Sequence, residues 1–105
     1  MSKTKHRAAF EDFMDRSEER FGELIDKVIL YGSVAKGLES KESDVDMLIV
    51  VKDESIRNKV ENLAFDIGLE HGIAMSPIVK TLEEFKEVKD TIYGREVRET
   101  GEVFA

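Results

Sequence analysis

A chain of 105 residues has room for one domain over residues 1–105, with a single core and no separate substrate domain. Charged residues make up 37% of it and hydrophobic ones 41%, a globular mixture, and the net charge of −7 argues against tight, sequence-independent nucleic-acid binding, which needs Lys and Arg against phosphates. Cysteine is absent, which excludes disulfides, thiolate chemistry and cysteine-built zinc sites.

In chain order, Lys3, Lys5, His6 and Arg7 form a basic cluster that reads as a solvated tail. Phe10, Phe13, Met14, Phe21, Leu24 and Ile25 then recur at spacings near three and four, which predicts an amphipathic helix over 8–25. A strand opens at Asp26 or Lys27 and runs through the β-branched Val28-Ile29 to Tyr31, where Gly32 breaks it. Ser33 to Lys36 suits a short helical turn, and Leu38 to Ser43 a polar connection. Asp44 to Val51 is the second strand, apolar at nearly every position after the acids, as expected of a strand buried on both faces. Past a turn at 52–55, with Asp53 or Ser55 as cap, Ile56, Val60, Leu63, Ala64 and Ile67 trace one face of a second helix. His71 sits at its end, where a protonated imidazole suits the helix dipole, and Gly72 stops it. Ile73 to Val79 reads as a third strand, placed at an edge by Pro77, which has no amide to donate. Thr81 and Glu84 have the spacing of a capping box for a helix from Leu82 toward Val88. A further helix is expected over 91–100, interrupted near Gly94, and the tail 102–105 is open to pairing with the sheet. No stretch approaches the roughly 18 continuous apolar residues of a membrane span, and the start MSKTKHRAAFEDF lacks an apolar signal core, so a cytoplasmic location is expected.

The chemistry concentrates between Leu30 and Val51. Asp44 and Asp46 lie two apart, so on a strand both carboxylates point to one face. A divalent ion would relieve their mutual repulsion, as would an ion pair with Lys36 or Lys41. Gly32 beside Ser33 makes a suitable phosphate clamp, because glycine lets the backbone approach closely and the hydroxyl donates. Lys36 can add a charge against phosphates or remain a surface lysine. A P-loop fits poorly: Gly32 and Gly37 have its spacing, but Leu38-Glu39 stands where Lys-Ser or Lys-Thr belongs. No Gly-x-Gly is present for a dinucleotide site, and no Ser with a nearby His base suggests nucleophilic hydrolysis.

Gly32-Ser33, ten residues, then Asp44-Val45-Asp46 resembles the signature of the DNA polymerase β-like nucleotidyltransferases. Within that superfamily the chain is similar to the minimal nucleotidyltransferases, small proteins often paired with a helical HEPN toxin; Gly32, Ser33, Ala35, Lys36, Gly37, Ser43, Asp44 and Asp46 all fall on the pattern, and the ending Val97 to Phe104 resembles the family's closing helix and tail. The resemblance implies an α/β fold with a small mixed sheet of three to four strands, helices mainly on one face, and the carboxylates on the open face. It assigns Asp44 and Asp46 to catalysis and to Mg²⁺, in a two-metal site, and Gly32, Ser33, Lys36 and Ser43 to the nucleotide, ATP or another NTP. The implied activity is transfer of AMP or another NMP to a protein hydroxyl, by an antitoxin acting on a HEPN-type partner. One departure stands out: active members carry a third carboxylate on the strand after the second helix, whereas here that strand is GIAMSPIVK. Ser76 occupies the region, and neither Glu70 before it nor Glu83 after it fits comfortably. The alternative is therefore a module that keeps the fold but neutralises its partner by masking. An open site in so small a domain also calls for a partner, or a second copy of the chain, to complete the acceptor pocket.

Overall fold

The computed structural model describes residues 4–88 and 101–104. Helix α1 spans Lys5–Phe21, one turn earlier than the aromatic spacing indicates, because Thr4 caps it by accepting from the Arg7 amide at 3.1 Å. It also ends earlier. Gly22 adopts φ 51°, a conformation that glycine tolerates best, and a 3₁₀ turn over Gly22–Leu24 carries Leu24 and Ile25 out of the helix. Ile25 instead opens strand β1, Ile25–Tyr31.

A five-residue helix α2, Gly32–Lys36, follows, and then β2 over Val45–Val51. Asp53 caps a 3₁₀ turn, Glu54–Ile56, by accepting from the Ser55 amide at 2.9 Å, and α3 continues over Arg57–His71. Strand β3 is Met75–Thr81, two residues later than the apolar run begins. Ile73 is occupied in closing α3, its amide bonded to the Gly68 carbonyl at 2.9 Å. The Thr81–Glu84 capping box forms as expected, the Thr81 amide bonding Glu84 Oε1 at 2.9 Å and the Glu84 amide bonding Thr81 Oγ1 at 3.3 Å. It starts α4, Leu82–Val88. The tail does pair: Glu102–Phe104 forms β4 against β1. The helix expected over 91–100 lies outside the described residues.

The sheet has the order β3-β2-β1-β4, with β1 antiparallel to both β2 and β4 and β2 parallel to β3. The parallel pair needs a crossover, which α3 supplies. On one face, Leu30, Met47 and Ile49 pack under Phe10 and Phe13 of α1 and Leu63 and Ile67 of α3, all buried. Each such side chain contributes on the order of 1.5–3 kcal/mol. The opposite face carries a smaller cluster of Ile29, Tyr31 and Leu48, against which Ile78 of β3 and Phe85 of α4 pack. This is the expected α/β arrangement, with the long helices on one face only.

Strand β3 is an edge, as Pro77 requires. That edge is blunted further where Arg57 Nη1 donates to the Val79 carbonyl at 2.7 Å, removing an acceptor from any strand approaching from outside.

Candidate active site

The two ends of the Gly32–Asp46 motif meet because β1 and β2 are antiparallel neighbours. Tyr31 is the register partner of Asp46 on one side, and Ser76 is its partner on the other. Register partners share a face, so Asp46 projects from the centre of a three-strand row on the face opposite α1 and α3. Gly32 turns away from β1 at φ 77° directly over this row, and the nearest atom to any Cβ placed there would be Asp46 Oδ2. Glycine is thus required twice, by its backbone angle and by the carboxylate beneath it.

Asp44 lies one residue before β2 and is exposed, whereas Asp46 within β2 is half-buried. Ser76 links them: standing beside Asp46 in the ladder, it donates its hydroxyl to Asp44 Oδ2 at 2.9 Å. Three polar groups thereby converge on one patch. Hard oxygen donors of this kind suit Mg²⁺, which favours one or two carboxylates and completes its shell with phosphate oxygens and water. Among the described residues, no cluster of three or more His, Asp or Glu side chains is placed to hold a metal ion. The donor set therefore fits a nucleotide-bound ion better than an all-protein cage.

Gly32, Ser33 and Lys36 all lie on α2, Ser33 half-buried and Lys36 exposed in the last turn. Neither side chain has a hydrogen-bond or ion-pair partner among the described residues, so both remain available to a ligand. Ser43 is differently engaged. Its hydroxyl accepts from the Ser40 amide at 2.9 Å and closes the connection that leads to Asp44, so its first task is to shape that loop. Lys36 and Lys41 form no ion pair with Asp44 or Asp46 among the described residues.

The two alternative acids are elsewhere. Glu70 is held by Arg16 Nη1 at 2.5 Å on the helical side of the sheet. Glu83 sits past the far end of β3, five residues beyond Ser76 to Thr81 and so about 16 Å along the strand at its usual rise. Among the described residues, the position beside Asp46 on β3 is held by Ser76 and not by an acid. His71 also faces the helical layer, with Nε2 2.9 Å from Asp12 Oδ2.

The sequence reading missed one residue that bears on the site. His6 is not part of a solvated tail: it is only 5% exposed, and its Nε2 lies 2.9 Å from the Ser43 carbonyl, next to Asp44. Thr4 Oγ1 donates to Glu39 Oε2 at 2.9 Å nearby. The Glu39 carboxyl is held below its ordinary value by its own backbone amide, then by the Thr4 hydroxyl and the charges of His6 and Arg7, against the opposing effect of burial. Arg7 faces Glu102 of β4 at 3.6 Å. The signal was present in the spacing, since His6, Ala9, Phe10, Phe13 and Ser17 share the buried stripe of α1.

The model of the nucleotidyltransferase domain matches residues 11–99. The chain belongs to the nucleotidyltransferase family. Two relatives from Methanocaldococcus jannaschii carry names of the same kind. "Putative protein adenylyltransferase MJ0604" is 32% identical over 95 residues, covering 90% of this chain and 93% of the relative. "Putative protein adenylyltransferase MJ0141" is 40% identical over 80 residues, covering 70% and 79%. The fold is also that of a solved toxin–antitoxin complex described with AMP-PNP, at TM-score 0.65 and 15% identity over 89% of this chain and 70% of that one. A mutant MntA-HpeT toxin–antitoxin complex matches at TM-score 0.63, again with 15% identity, over 90% and 71%. The resemblance drawn from Gly32 to Asp46 thus holds for family and fold. No helix among the described residues is long and apolar enough to cross a membrane.

Proposed function

We propose that this nucleotidyltransferase is Mg²⁺-dependent and moves AMP from ATP to a hydroxyl of a protein, a helical HEPN-type toxin in the cytoplasm, and so acts as its antitoxin. The observation that supports the proposal is the closeness of Gly32 to the Asp46 carboxylate, which leaves no room for a Cβ there and brings the Gly32-Ser33 turn next to that acid. The relatives named as protein adenylyltransferases and the fold neighbour described with AMP-PNP support the same reading.

The reaction joins the acceptor hydroxyl oxygen to the α-phosphorus, breaks the bond between that phosphorus and the α–β bridging oxygen, and releases pyrophosphate. Mg²⁺, when bound, neutralises triphosphate charge and stabilises the attacking and leaving oxygens. Asp44 and Asp46 are the residues that would hold it. The Gly32 backbone and the Ser33 hydroxyl orient the terminal phosphates, and Lys36 adds positive charge beside them. Ser76 fixes the rotamer of Asp44 through its hydrogen bond. A serine hydroxyl is no base at neutral pH, so Ser76 does not take the acceptor's proton, and transfer to water in place of a positioned base would cost roughly 10²- to 10⁴-fold.

Ser76 also favours a second reading, in which the fold masks the toxin without modifying it. ATP labelled at the α- or the γ-phosphorus separates the two when incubated with this protein, Mg²⁺ and the co-expressed toxin. Retention of α-label alone on the toxin is the expected result. A toxin that is bound and inhibited but unlabelled would establish masking.

A further inference from the structure

Asp46 is set by the ladder on both sides, but Asp44 lies outside it, and what fixes Asp44 comes from two separate segments, the start of β3 and the start of α1. Its carboxylate is held by Ser76 of β3. On its C-terminal side, the Val45 amide bonds the Ala74 carbonyl at 2.9 Å. On its N-terminal side, the Ser43–Asp44 peptide is held through its carbonyl by His6 of α1, 37 residues away in sequence. His6 is nearly fully buried, so its ring is locked by packing and not merely resting on a surface. Thr4 and Glu39 make a second tie between the same helix start and the same loop.

We infer that His6 is a positioning residue for the active site: the N-terminal turn of α1 is a strap that holds the 38–43 loop so that the Asp44 carboxylate is presented to the metal beside Asp46. The inference rests on the metal-binding role proposed above for the two acids. Its chemistry is simple. A peptide plane can rotate about the bonds flanking it, and rotation at Ser43–Asp44 would swing the Asp44 side chain away from Asp46. The hydrogen bond from the imidazole Nε2–H opposes that rotation, as outer partners of metal ligands commonly do. A glutamine side chain also carries a terminal N–H donor and can take over this contact, whereas alanine cannot.

The test is a titration with Mn²⁺ alone, following free ion by electron paramagnetic resonance, on the full chain and its variants. Thermal melts run alongside. His6→Ala is expected to weaken Mn²⁺ binding by about 10- to 100-fold while the protein remains folded at the assay temperature, and His6→Gln to recover most of the loss. Glu39→Ala, which cuts the second tie without entering the core, is expected to give a smaller loss in the same direction. A purely structural His6 would lower the melting midpoint and leave the affinity of the folded protein unchanged; that result overturns the inference. Equal losses in His6→Gln and His6→Ala overturn it too, since packing and not the donor would then matter. If His6→Ala does not fold, an unchanged affinity in Glu39→Ala is the overturning result. Failure of the wild-type chain to bind Mn²⁺ both alone and together with a non-hydrolysable ATP analogue would instead defeat the metal role of Asp44 and Asp46 itself, and the strap with it.

Discussion

Asp44 and Asp46 are two residues apart, yet the molecule holds them by different means. Asp46 belongs to the sheet: its neighbours Tyr31 and Ser76 are fixed by backbone ladders, and its carboxylate occupies the space that a Cβ at position 32 would need. Asp44 belongs to the loops, exposed, and positioned by a hydroxyl and a carbonyl from the start of β3 and by a buried histidine from α1, both distant in sequence. The difference teaches that a short motif need not be a uniform unit. One acid takes its position from the strand geometry its own segment dictates, and the other from tertiary contacts that only the folded chain supplies.

The largest test of that comparison removes the charges. Asp44→Asn and Asp46→Asn are each expected to reduce nucleotide transfer by at least about 10³-fold, the rate equivalent of losing several kcal/mol of metal-supplied stabilisation. Steady-state assays at saturating ATP measure this, and equal stability of the two variants by thermal melting would assign the loss to chemistry. Gly32→Ala comes next, because the new methyl collides with Asp46 and the left-handed backbone is strained. A loss of about 1–2 kcal/mol in stability is expected from the backbone alone, with a transfer rate that falls further than this because the carboxylate must move. Urea unfolding and kinetics on the same sample separate the two.

Ser76 sharpens the comparison, since it touches both acids. Ser76→Ala is expected to weaken metal binding by about 10- to 100-fold. Ser76→Asp places a third carboxylate in the row. It should lower the melting midpoint without metal, through like-charge repulsion, and recover it in millimolar Mg²⁺. A faster transfer rate should accompany this recovery, up to about 10²-fold, if a base is what the site lacks.

The smallest effect lies away from the site. Glu84 is held below its ordinary value of 4.5 chiefly by the Thr81 amide and then by Arg57. A depressed folded-state value means that this contribution to stability is complete above pH 4.5 and fades as pH falls through the lower folded value. Glu84→Gln should therefore show a shallower loss of stability as pH falls below 4.5 than the wild type, read from urea midpoints, and no change in metal affinity.

The same contrast explains what could be read from the sequence. The strands, the glycine break and the Thr81–Glu84 cap are local signals, each set by a few neighbouring residues, and the fold keeps them, whereas Asp44 falls one residue outside the strand expected to begin with it. The spacing of Leu24 and Ile25 also fits the helix period; Gly22 decides otherwise, and β1 gains Ile25 as a partner for Val51. His6 was hidden by its basic neighbours, although its spacing to Phe10 and Phe13 places it on the buried stripe. Ser76 was identified by position only. Its bond to Asp44 spans 32 residues and depends on the parallel register of β2 and β3, which no local pattern specifies.

The most direct test of the account is a crystal of the full chain soaked with Mn²⁺ and a non-hydrolysable ATP analogue, with anomalous scattering used to find the metal. The expected result is a manganese peak between the carboxylates of Asp44 and Asp46, with the triphosphate lying along Gly32 and Ser33. A nucleotide bound elsewhere, or a metal that contacts neither acid, would contradict the proposed site and leave the motif as a structural turn over a polar sheet face.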